Sequence, residues 1–264
     1  MASYRRFVAL GDSTTEGVGD TPYADGAPRG WADRFAVLLA EADPATTYAN
    51  LAVRGKVTAE VRAEQLGPAL ALEPDLVSLV VAMNDLIRPT FSAERIVADV
   101  DAMVGPLRRQ GATVLLMTFP DLSAVSPVGR ALRGRVAALN RGFRTITARY
   151  GATLLDIATV PTAGDPRVWA DDRLHLNPDG HALLAAAMAS TAGLPDAGRA
   201  WQEPLPPPVR VGARERVGTE VSWYRAHVGP WLGRRLTGRS SGDGRTAKRP
   251  LLQPVLPAGQ HDAT

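Results

Sequence analysis

Cysteine is absent from this 264-residue chain, which excludes a disulfide framework and any thiolate metal site. Redox arguments leave the compartment open, and a cytosolic protein is compatible with them. Histidine is scarce, limited to His175, His181, His227 and His261. His175 and His181 stand six residues apart with no third histidine near them, so no metal site is expected. Glycines follow an apolar run at residues 11–19, but neither Gly-Lys-Ser/Thr nor G-x-G-x-x-G occurs there, which argues against a phosphate cradle. Long apolar runs are missing too. The longest, around residues 76–83 and 182–189, fall well short of the roughly 18 residues that a spanning helix needs. Before Gly11 only residues 7–10 are apolar, too few for a signal-peptide core, and the expectation is a soluble, cytoplasmic protein.

What charge there is lies unevenly. Residues 201–264 hold ten Lys and Arg against five Asp and Glu, while residues 1–200 hold 20 against 22, so the basic character belongs to the tail. That tail also carries eight of the 21 prolines and Trp201, Trp223 and Trp231. The reading is a main domain over residues 1–195 and an extension over 196–264. In the extension Val217, Val221, Tyr224 and Val228 recur at helical spacing, which predicts an amphipathic helix over 213–227, with Gly229-Pro230 stopping it. The plainest expectation is that this segment docks on the domain's own surface and ends in a flexible stretch. The alternative is that Arg234-Arg235, Arg239, Arg245 and Lys248-Arg249 contact an anionic membrane or another polyanion. No nucleic-acid motif accompanies the charge, so no nucleic acid is expected as a partner.

Along the main domain, short β-type runs alternate with helical patterns. Strands are expected at 7–10, 47–51, 76–81, 113–119 and 153–157, and helices at 31–41, 57–72, 93–110, 128–150 and 179–192. Such alternation predicts an α/β fold with a parallel sheet covered by helices, and the nearly continuous apolar runs at 76–81 and 114–117 mark its central strands. In these sheets ligands bind beyond the carboxyl ends of the strands. Gly11-Asp12-Ser13 follows the first strand, residues 50–55 the second, Asn84-Asp85 the third and Asp121 the fourth, so four polar elements share one rim.

A serine hydroxyl is a weak nucleophile until an imidazole takes its proton and a carboxylate fixes that imidazole's tautomer. Ser13, His175 and Asp172 are residues of those types. Ser13 fits a helix N-cap as well as a nucleophile, and its backbone amide would face a site placed there. Asp172 lies three residues before His175, which suits it as orienter better than Asp171. Asn177-Pro178 reads as a helix start, and His181, inside that helix, reads as packing. Asn84 offers a neutral donor for an oxyanion and equally a turn residue; Gly55 offers either a close backbone approach or a plain turn.

A second serine pattern, residues 238–242, fits G-x-S-x-G around Ser240, with Asp243 and His261 following in order. That elbow needs a buried strand before the serine and a helix after it. Here Arg234-Arg235 precede and a Lys/Arg/Pro-rich stretch follows, so the pattern is set aside.

The ordered blocks resemble those of the SGNH (GDSL-type) hydrolase family: Gly11-Asp12-Ser13, then Gly55 in residues 50–55, then Asn84 in 83–85, then Asp172 to His175. The resemblance runs from about residue 6 to 192. It implies a three-layer α/β/α sandwich with a five-stranded parallel sheet in flavodoxin-like order. It implies Ser13 as nucleophile, His175 as base, Asp172 as orienter, and oxyanion donors from the Ser13 and Gly55 amides and the Asn84 side chain. The implied reaction is ester hydrolysis through an acyl-serine on a small-molecule substrate, with neither metal nor organic cofactor. Acyl transfer to an alcohol or sugar, and a noncatalytic binding role on the same fold, use the same residues. One departure stands out: Ala82 occupies the place of the family's glycine before Met83-Asn84-Asp85. The loop over residues 20–31, with Tyr23, is expected to shape the entrance or to be ordinary surface.

Overall fold

Alternating side chains along the first strand, β1 (Arg6–Gly11), decide how the layers stack. Phe7 and Ala9 join Trp31, Phe35, Tyr48, Leu184 and Met188 in one core. Val8 and Leu10 join Val61, Met103, Leu139 and Phe143 in another. Both faces of β1 are therefore buried, which is why it and β3 (Leu76–Val80) carry almost no polar residue. The computed structural model describes residues 3–194, 200–207 and 241–255.

The sheet has the order β5-β4-β3-β1-β2-β6, built from β1, β2 (Thr47–Asn50), β3, β4 (Thr113–Met117), β5 (Thr153–Leu155) and β6 (Arg249–Pro254). The first five strands are parallel, in the expected flavodoxin-like order. Helices α2 (Trp31–Ala42) and α7 (Pro178–Thr191) pack together on the Phe7 side. Helices α3 (Thr58–Ala71), α5 (Ala93–Arg109) and α6 (Pro127–Tyr150) cover the other. Two single turns, α1 (Ser13–Glu16) and α4 (Met83–Leu86), sit at the carboxyl ends of β1 and β3. The chain leaves β1 toward β2 on one side and returns to β3 on the other, so the crevice of the sheet opens between α1 and α4. Among the described residues no helix is long and apolar enough to cross a membrane.

The basic end differs from expectation. Residues 249–254 form a sixth strand, antiparallel to β2, where the sequence suggested a flexible stretch. Its two prolines hid it, and they are tolerated because an edge strand has one side without ladder partners. Lys248 and Arg249 are accordingly spent on the domain. Lys248 Nζ donates to the Pro28 and Arg29 carbonyls at 2.8 and 2.6 Å and to Asp33 at 2.5 Å. Arg249 Nε donates to the Tyr48 carbonyl at 3.0 Å and its guanidinium lies over the Tyr48 ring. The helix expected over 213–227, together with Arg234, Arg235 and Arg239, lies outside the described residues.

Candidate active site

Ser13 follows β1 with only Asp12 between them, and the chain there is held by its neighbours. Gly11 runs so close to its neighbours that a Cβ would sit 2.4 Å from the Val80 carbonyl oxygen. At the end of the strand the Gln65 side chain serves both Gly11 peptide groups: Oε1 accepts from Gly11 N and Nε2 donates to its carbonyl, each at 2.9 Å, and that carbonyl also accepts from Val53 N at 3.4 Å. Asp12, not Ser13, caps the α1 turn, its Oδ1 accepting from Thr14 N at 3.1 Å. The Ser13 hydroxyl is thereby released from capping.

Ser13 Oγ lies 2.9 Å from His175 Nε2, and His175 Nδ1 lies 2.5 Å from Asp172 Oδ2. A carboxylate only accepts, so Nδ1 carries the imidazole proton and Nε2 presents its lone pair to the serine hydroxyl. Asp172 is itself fixed by its own turn. Its Oδ1 accepts from the Leu174 and His175 amides at 3.0 Å each, with Arg173 in the left-handed region at φ 56°. Burial pushes the Asp172 carboxyl up, but the hydrogen bond and charge of His175 and the two amides outweigh it and hold it down at about 2.

Asn84 stands between two other pieces of the rim. Its Nδ2 donates to the Lys56 carbonyl at 3.0 Å and to Asp12 Oδ2 at 3.3 Å. Lys56 adjoins Gly55, whose φ of 81° only glycine adopts freely. Ala82 before Asn84 has φ 84°, so the position does require the conformation its missing glycine would supply. Asp12 is almost fully buried, and burial raises its carboxyl to about 6.

Of the other expected residues, Asp121 does not join this group; its carboxylate is exposed and bonded to Ser123 and to Arg133 at 3.0 Å. Asp85 caps the start of α3, accepting from Thr58 N and Oγ1 at 2.9 Å. His181 packs as expected, fully buried: Nδ1 accepts from Trp31 N and Nε2 donates to the Val18 carbonyl, both at 3.1 Å. Burial lowers its pKa, in keeping with that neutral form. Gly19, just before the 20–31 loop, packs against the His175 Cβ and the Leu176 carbonyl. Ser240 and His261 of the second serine pattern lie outside the described residues. Its last glycine, Gly242, packs against the Arg54 carbonyl.

Two supports escaped the sequence reading. Gln65 sits four residues after Val61 and four before Ala69 on the buried stripe of α3, and a polar side chain in that stripe was the available signal. Glu16, also buried, accepts from Arg54 N, Nε and Nη2 at 2.6–2.8 Å and so ties α1 to the Gly55 turn. Nothing local in Thr-Thr-Glu-Gly announces that partner.

A serine, a histidine and an aspartate are thus linked in series at the switch point of a doubly wound α/β sandwich. The chain belongs to the GDSL-like Lipase/Acylhydrolase family, which matches residues 9–183. It is similar in structure to a catalytic mutant of Axe2, an acetylxylan esterase from Geobacillus stearothermophilus, with TM-score 0.63, 20% identity, and coverage of 75% of this chain and 98% of that one. It is also similar to LAE5, an alpha/beta hydrolase enzyme from the metagenome of Lake Arreo, Spain, with TM-score 0.61, 21% identity, and coverage of 73% and 97%. TesA gives TM-score 0.59 at 20% identity over 72% of this chain and 98% of its own. No curated protein matches by sequence. At these identities the structural likeness speaks for the fold.

Proposed function

We propose that this protein is a serine ester hydrolase working through an acyl-serine intermediate. The observation that carries the reading is the unbroken chain Ser13 Oγ, His175 Nε2, His175 Nδ1, Asp172 Oδ2, with links of 2.9 and 2.5 Å. Membership in an acylhydrolase family supports it.

Ser13 Oγ attacks the ester carbonyl carbon as His175 Nε2 takes its proton, and Asp172 steadies the imidazolium that results. The carbonyl oxygen becomes an oxyanion, held by the Ser13 and Gly55 amides and by the Asn84 side chain. Collapse breaks the bond to the alcohol, which leaves with the proton from His175. Water then gives a proton to His175 and attacks the acyl-serine, and the acid departs with Ser13 restored. Because both Asn84 N–H groups have partners in the resting site, the longer bond, to Asp12, is the one exchanged for the oxyanion.

The test is turnover of short-chain aryl esters by the protein and by Ser13→Ala, with a serine-directed phosphonate adduct located by peptide mass. The expected results are loss of turnover in the variant and an adduct on Ser13. Full turnover by Ser13→Ala, or an adduct on Ser240, overturns the assignment.

A further inference from the structure

Between the sheet and α7, next to the segments that carry Ser13 and His175, lies an apolar cavity. Asp12, Thr14, Met83 and Leu176 line it, the sequence neighbours of Ser13, Asn84 and His175. From there α7 forms one wall from Gly180 to Ala187, about two turns or ~10 Å of helix. Met117 and Phe119 at the end of β4, with Ile157 and Val160 beyond β5, form the wall opposite. Two polar groups on the lining are spent elsewhere, the Thr162 hydroxyl donating to the Glu203 carbonyl and the Trp169 indole to the Ala163 carbonyl at 3.1 Å, and the buried Trp201 indole N–H is without a partner among the described residues. Such a wall gains free energy from hydrocarbon and has little to offer a sugar.

Three lining residues, Leu184, Ala187 and Trp201, come from beyond the family match, and Trp201 belongs to the 196–264 extension. Trp201, in the 3-10 turn Ala200–Gln202, is buried against the Phe7-side core and closes the cavity where Ala187 and Leu184 stand. Its segment is pinned to the domain by Thr162 on the Glu203 carbonyl and by Arg167 Nη1 on the Pro206 carbonyl at 2.7 Å. The GDSL-like match ends at residue 183, so this wall belongs to the extension of this chain.

We propose that the cavity receives the acyl chain of the ester, a straight aliphatic chain of medium length, and that Trp201 sets how long it is. The proposal rests on the ester hydrolase reading above. A zigzag hydrocarbon with bonds near 1.5 Å advances about 1.3 Å per carbon, so ~10 Å of wall takes about eight carbons. Each methylene that reaches apolar wall in the transition state raises kcat/KM by about fourfold, until the end wall is met.

The experiment is kcat/KM across 4-nitrophenyl esters from acetyl to dodecanoyl. The expected profile climbs with chain length, breaks near octanoyl and falls beyond. Trp201→Ala moves the break to longer chains, and Val160→Phe, at a half-buried wall position, moves it to shorter ones. Thermal melts establish that each variant is folded, and Val160→Phe carries the test should Trp201→Ala fail to fold. A profile that is flat or falls from acetyl, or a break that neither folded variant moves, overturns the proposal. Alkyl phosphonates separate the two readings. Labelling of Ser13 by a methyl but not an octyl phosphonate sinks the acyl cavity alone, whereas no ester turnover and no labelling of Ser13 by either sinks the hydrolase reading and the cavity with it.

Discussion

Asn84 and Asp12 meet across the junction of β1 and β3, Nδ2 donating to Oδ2 at 3.3 Å, while the other Asn84 hydrogen goes to the Lys56 carbonyl. One amide thus spans the nucleophile turn and the Gly55 turn. If it serves the oxyanion, Asn84→Ala lowers kcat by about 10²–10³-fold with KM little changed. Asp12→Asn keeps the shape but sets an amide nitrogen or a single oxygen where two acceptors worked, and lowers kcat by roughly tenfold, the worth of one charge-assisted bond. Steady-state kinetics on an aryl ester read both. An Asn84→Ala enzyme with unchanged kcat removes that side chain from the reaction.

The same aspartate makes stability depend on pH. Its carboxyl is raised from 3.8 to about 6, chiefly by burial, so between those values the folded protein holds a proton that the unfolded chain has lost. A raised group contributes stability that is fully present below the unfolded value and is lost as pH rises through the folded one. Relative to Asp12→Asn, the native protein should therefore lose about 2.5 kcal/mol between about pH 4 and pH 7.5. Urea unfolding of both proteins at the two pH values measures this, and the comparison cancels every other titrating group. A constant difference refutes the burial argument.

Ala82 offers a balance of two small terms. At φ 84° its Cβ costs on the order of 1 kcal/mol against glycine, yet the residue is 1% exposed and its methyl lies in the core. Burying that methyl recovers about 0.8 kcal/mol. The terms nearly cancel, which explains how alanine is tolerated there. Ala82→Gly should change stability by less than about 0.5 kcal/mol, whereas Ala82→Val, β-branched at positive φ, should cost more than about 2 kcal/mol. Denaturant midpoints decide between this and a strain that dominates.

Legibility in the sequence followed how local each signal was. The strands β1, β3 and β4 are readable because burial on both faces writes a nearly apolar run, and α7 because Asn177-Pro178 starts it; Asn177 Oδ1 does accept from Gly180 N at 2.9 Å. Asp172 was preferred over Asp171 on spacing alone, and its carboxylate is the one that reaches His175. Ser13 as a cap was also a fair local reading, displaced because Asp12 one residue earlier takes that role. What stayed hidden depends on distant partners: Gln65 on Gly11 across 54 positions, Glu16 on Arg54 across 38, and β6 on β2. Basic charge in the tail leaves an outside partner open beside self-docking because composition does not show that Lys248 has three acceptors waiting inside.

That lysine joins the late strand to the entrance of the site. Its ammonium holds the Pro28 and Arg29 carbonyls, and the next residue, Gly30, packs against Gly17 at the end of the α1 turn. Burial pushes Asp33 up and Lys248 down despite their 2.5 Å contact, so desolvation weighs heavily on the pair. Removing one partner is then worse than removing both charges. Lys248→Met should destabilise the protein by about 3 kcal/mol by leaving a buried carboxylate without its cation, and the double variant Lys248→Met/Asp33→Asn should recover more than half of that. Because the 28–30 segment braces α1, the single variant should also lose turnover on aryl esters at a temperature where it remains folded. Urea unfolding of Lys248→Met, Asp33→Asn, the double variant and the native protein closes the cycle and gives the coupling. Additive single and double effects would mean that the tail merely lies against the domain and does not clamp it.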